Sequence, residues 1–238
     1  MLFRSLRART LSRTAVDEAR QSGRRETAAV YEASAAVREA LFDNASAAVR
    51  SASDALEISK GRDVEYAAAF ALALAGESQR AQLLANDLDM RFPQDTSVRF
   101  SYLPTLRALF ALNAREPSHA IDALREAVPY ELAVPAISNF GFFGSLYPAY
   151  VRGEAYLAAQ TYVEAAAEFQ KIVDHRGLVL GDPIDAIARL QRARALALAG
   201  DRGKAKAAYA DFLALWKDAD PDTPILRQAK AEYAKLSL

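Results

Sequence analysis

Between residues 147 and 174 the small and apolar positions fall at helical spacing twice, with a polar break between the two runs. Gly153 and Tyr156 stand one turn apart on a first helix; Ala165, Phe169 and Ile172 follow one another at one-turn intervals on a second. Gln160-Thr161 marks the turn between them. Small residues at Gly153 and Ala165 let two antiparallel helices approach closely, and Tyr156 and Phe169 fill the space beside that contact. The stretch predicts a tightly packed helical hairpin.

The same placement recurs along the chain. With Ala165 as the reference, the equivalent small residue is Ala8, Ala48, Ala81, Ala120 and Ala205, giving intervals of 40, 33, 39, 45 and 40 residues. Four positions further on stand Ser12, Ala52, Ala85, Leu124, Phe169 and Tyr209, nearly all of a kind that a helix-packing position requires. This predicts an all-α chain of stacked antiparallel helix pairs, about 12 helices in number. Pairs are expected over residues 26–41 and 45–58, 63–74 and 78–91, 96–112 and 117–128, and 183–199 and 201–216. Pro104 is either an early helical position or a kink. Residues 4–20 read as the second helix of a pair whose first is absent, so the array is expected to extend before Met1. At the other end, Ile225, Leu226, Ala229, Tyr233 and Leu236 form an apolar stripe on a helix expected to cap the array.

The pattern breaks at residues 130–146. Pro135, Gly141 and Gly144 interrupt any regular helix there, and Tyr130, Phe140, Phe142 and Phe143 make the segment aromatic. The chain thus divides into N-terminal repeats (1–129), an irregular aromatic connection (130–146) and C-terminal repeats with a capping helix (147–238), all within one continuous array.

These offsets resemble the tetratricopeptide repeat, whose usual pattern has Gly, Tyr, Gly, Ala, Phe and Ala; the chain departs from it at Gln160 and Ile172. Residues 147–177, Asp182-Pro183 and 192–233 are similar to the C-terminal repeat region of bacterial eukaryotic-like serine/threonine protein kinases. The run LWKDADPD at 215–222 is the most specific part, and RFPQDT at 91–96 and ALREAVPYEL at 123–132 look like earlier parts of that region. A related region also follows winged-helix DNA-binding domains in some bacterial transcription regulators. The resemblance implies a right-handed superhelix whose inner groove, lined by the first helix of each pair, receives a protein or peptide segment. Kinase activity does not come with it. The chain has no GxGxxG, no HRD and no DFG, and Asp174-His175-Arg176 reads as a helix end, where His and Arg suit the negative pole.

Charge and composition narrow the classes further. Thirty basic residues balance thirty acidic ones, which argues against a nucleic-acid binder. The one local bias is at the start, where seven arginines lie between Arg4 and Arg25 against Asp17 and Glu18. It reads as a solvated helix face, with an anionic partner as the alternative. No cysteine is present, and His119 and His175 lie in different repeats, so no metal or cofactor is expected. No apolar run is long enough to span a bilayer, and the expected compartment is the cytoplasm.

The expectation is therefore a non-catalytic interaction or regulatory module. Tyr66, Phe70, Arg107, Phe110, Tyr150, Arg152 and Arg189 are the expected groove residues, joined by Phe142 and Phe143 of the aromatic segment. Two alternatives stand beside it: a small-molecule sensor with the aromatic segment closing over one end of the groove, and a split-gene fragment with no role of its own.

Overall fold

The fold was analysed in a computed structural model that describes residues 5–133 and 146–236, and all regular structure among them is helical. The helices are α1 (Ser5–Gln21), α2 (Arg25–Leu41), α3 (Ala45–Ile58), α4 (Arg62–Leu74), α5 (Ser78–Arg91), α6 (Leu103–Asn113) and α7 (Pro117–Ala123). After the aromatic connection follow α8 (Tyr147–Ala158), α9 (Tyr162–Asp174), the short α10 (Arg176–Val179), α11 (Ile184–Leu198), α12 (Arg202–Leu215) and α13 (Pro224–Lys235). Each full-length helix packs on the next, and α2, α4, α6 and α8 also pack on one another in that order. Short α10 is a single turn between α9 and α11.

Six chain reversals share one device. Gly23, Asp43, Gly76, Arg115, Gln160 and Gly200 each take a positive φ at the end of a helix. At the hairpin of α8 and α9, for example, Gln160 N–H donates to the Leu157 carbonyl and Thr161 N–H to the Tyr156 carbonyl. The same two bonds close the other five turns, answering carbonyls that the helix end leaves open. Three of the six positions are not glycine, and each such left-handed residue costs about 1 kcal/mol. Because the turn at Gly23 matches the rest, α1 is joined to α2 just as α2 is joined to α3.

The packing positions read from the sequence are where the helices meet. Ala48, Ala81, Ala120, Ala165 and Ala205 are fully buried, while Ala8 on α1 is half-buried. A Cβ placed on Gly153 would stand 2.6 Å from the Phe169 ring, so glycine is what lets α8 and α9 touch. Pro104 sits at the start of α6, directly after a π-helical turn over Val98–Tyr102. The proline has no N–H to give to the preceding turn, and the wider turn relieves the misfit.

The two ends of the chain come together. The edge of Trp216, after α12, meets the Phe42 ring at 5.1 Å, and Gln228 on α13 donates to Asp43 at 3.0 Å. Phe42 and Asp43 form the turn between α2 and α3, so the C-terminal helices close on the N-terminal ones. The expected capping stripe is partly realised: Ile225, Leu226 and Ala229 are buried, and Tyr233 and Leu236 pack at the edge of the core.

Candidate functional site

The interior between the helix pairs is filled. Tyr66 on α4 stacks on Tyr102 at 3.8 Å, and Phe70 meets the Tyr147 ring edge-on at 4.7 Å. Tyr150 lies against Phe169, and Tyr147 donates to the buried Asp182 carboxylate at 2.8 Å. Asp182, one residue before Pro183, the cap residue of α11, also accepts from the Ile184 amide. Burial raises the Asp182 pKa to about 6, against the two hydrogen bonds that favour its charge.

The residues expected to line a groove are therefore placed differently. Tyr66, Phe70 and Tyr150 come together, but as core residues without an exposed face. Their aromatic surface meets other aromatics at van der Waals distance, which leaves no room for a guest. Phe110 packs at the core's edge. Arg152 is buried between Glu131 and Glu168, at 2.8 and 2.6 Å, with Lys171 completing the cluster. Arg189 is held by Asp185 one turn away on α11, and Arg107 is exposed beside Asp89. Phe142 and Phe143 lie outside the described residues. His119 is exposed next to Glu116, and His175 caps α9 through a bond to the Lys171 carbonyl. No group of three or more His, Cys, Asp or Glu among the described residues is placed to hold a metal ion, and no described helix is long and apolar enough to cross a membrane.

The open site lies elsewhere, in a cleft of about 750 Å³ between α1, α2 and α3. It exists because the side chains facing the gap are short: Ser12, Ala35, Ala45, Ser46, Ala47 and Ser51 all line it. The remaining lining is Asn44 and eight charged residues, with Arg9, Arg13, Arg38 and Arg50 against Glu32, Glu39, Asp43 and Asp54. These charges are not evenly satisfied. Glu39 is well held: Arg9 grips both its oxygens at 2.9 and 2.6 Å, and Asn44 adds a third bond at 3.1 Å. Asp43 is occupied by Gln228. Arg13, Arg50, Glu32 and Asp54 form no ion pair among the described residues.

Arg38 is the exception in the cleft. Its side chain is only 16% exposed, yet its one hydrogen bond among the described residues runs from a terminal nitrogen to Ser12 Oγ at 3.0 Å. Glu39 stands 3.6 Å away, within reach of a loose ion pair but too far for a hydrogen bond, and Arg38 Nε meets no acceptor. Burial lowers the Arg38 pKa, and the Glu39 charge offsets only part of that effect. Sequence reasoning missed this site because its alanines look like the packing alanines found everywhere else. The one available signal was the arginine excess at the chain start, which delivers Arg9 and Arg13 to the cleft.

No protein-family model, curated protein or solved structure matches this chain.

Proposed function

We propose that the chain is a right-handed superhelix of tetratricopeptide-like helix pairs and that it works as a non-catalytic module binding a protein or peptide segment. The cleft between α1 and α3 carries this reading. It is the size of a short peptide, open to solvent, and its lining includes Arg13, Arg50, Glu32 and Asp54, charged groups of both signs without ion pairs among the described residues. The pairwise geometry supports the repeat assignment: the same turn closes each hairpin, and a buried small residue recurs at the expected offset. The parent is a bacterial signalling protein, such as a serine/threonine kinase, on the strength of the run at 215–222 and its neighbours. The aromatic groove residues belong to the scaffold in this reading, and the cleft takes over the binding role.

Selection of random dodecapeptides displayed on phage against the immobilised chain tests it. The expected result is a set of enriched peptides with a shared motif, whose binding by calorimetry is lost when Ser46 and Ser51 are both changed to bulky Trp. Failure to enrich any peptide, together with a rise in Tm on adding a metabolite, would favour the small-molecule sensor instead.

A further inference from the structure

Arg38 presents five N–H donors and uses one of them in a hydrogen bond. A guanidinium this far out of water is normally answered by a carboxylate in a forked pair. The carboxylate beside it, Glu39, is already held by Arg9 and Asn44; Arg38 Nε is buried without an acceptor, and the Arg38 side chain lines the cleft. Arg13 and Arg50 stand on the two flanking helices without ion pairs of their own. The first turn of α3, at the cleft wall, has no acidic residue and no side-chain cap, so its positive pole adds to the same field.

We propose that Arg38 is the docking point for an acidic side chain of the bound peptide, with Arg13 and Arg50 closing over it from α1 and α3. This deepens the interaction reading and rests on it. The cleft supplies the specificity as well. Glu32 and Asp54 repel a second acidic group, so the segment recognised carries an isolated carboxylate with donors or a basic residue beside it, not an acidic run. A cleft of this volume holds several residues, whereas a free phosphate or carboxylate would occupy a small part of it.

The test uses peptides selected from random dodecapeptides and the full chain. In each, the acidic residue is replaced by its amide, and affinity is compared for the native chain, Arg38→Met and Arg50→Ala. The expected result is a shared Asp or Glu whose amide weakens binding by about 30-fold or more. Arg38→Met should lose as much, with no further loss when both changes are combined, and Arg50→Ala should lose less. Arg38→Met should also keep its Tm, which separates a ligand-binding arginine from a structural one. Peptides that bind regardless of the amide change, or bind Arg38→Met as tightly, would overturn the docking role while leaving an interaction module in place. No selectable peptide, with an Arg38-dependent rise in Tm from inorganic phosphate alone, would overturn both in favour of a small-anion site.

Discussion

Arg152 and Arg38 are both guanidiniums taken out of water, at 5% and 16% side-chain exposure, and their surroundings answer them differently. At Arg152, burial pulls the pKa down, and Glu168 and Glu131 more than reverse it, so the pKa ends raised. One of its terminal nitrogens, Nη1, still lacks a partner, but two carboxylates sit on the other. At Arg38 the same burial wins and the pKa ends lowered. The difference lies in who supplies the carboxylates. Glu131, from the segment after α7, and Glu168, from α9, converge on Arg152 from separate elements, which ties the junction shut. Glu39 is Arg38's neighbour on one helix, and it turns away to Arg9. The junction is a finished structural joint; the cleft is unfinished, and a partner can finish it.

The largest expected effect comes from breaking the finished joint. Arg152→Met leaves Glu131 and Glu168 buried with only Lys171 to answer them. The loss should be about 3 kcal/mol or more, a drop of about 6–12 °C in Tm by calorimetry. A loss below 1 kcal/mol would mean that the cluster is solvated in solution, and the contrast with Arg38 would disappear.

Next in size is the pH response of the filled interior. Asp182 binds its proton more tightly folded, with a pKa of about 6, than unfolded, near 3.8. Its favourable contribution is therefore complete below the unfolded value and is lost as pH rises through about 6. Stability measured by urea unfolding should fall between pH 4 and 7 by on the order of 3 kcal/mol more in the native chain than in Asp182→Asn. Parallel pH profiles for the two would show that water reaches Asp182. Glu65, raised to about 7 chiefly by burial and then by Asp87, adds a slope of the same sign in both proteins.

Gly153→Ala probes the close helix approach. The added methyl meets Phe169 at 2.6 Å, so about 1–3 kcal/mol should be lost, and Phe169→Leu in the same chain should return part of it. Two independent losses that simply add would place the rings further apart than described here. The smallest effect concerns the meeting of the chain ends. A double-mutant cycle with Phe42→Leu and Trp216→Leu should give a coupling of about 0.5–1.5 kcal/mol for the edge-to-face pair. Zero coupling would mean an open array.

How much of this could be read from the sequence follows from which residues carry the signal. Helix pairing was legible because a small residue at a contact has a fixed spacing to its partner: Gly153, Ala165 and Phe169 meet as their offsets require. Gln160 was legible as a turn from its polar neighbours, although its left-handed backbone is usually given to glycine. The aromatic residues were misplaced because Tyr66 and Tyr150 look the same whether they face a groove or pack on Tyr102 and Phe169. Only the return of α12 and α13 to the α2–α3 turn, a contact between residues 185 positions apart in sequence, decides how the array closes. The cleft was hidden for a related reason. It is made by three helices together, and its floor depends on what small side chains leave empty.

The central claim is that Arg38 serves a ligand and not the fold. Thermal unfolding of Arg38→Met beside the native chain, without any peptide present, tests it most directly. Replacing a buried charge whose nearest carboxylate, Glu39, is already held by Arg9 with an apolar side chain of similar length should leave Tm unchanged or raise it. A fall as large as that of Arg152→Met would show that Arg38 is structural and would contradict the account.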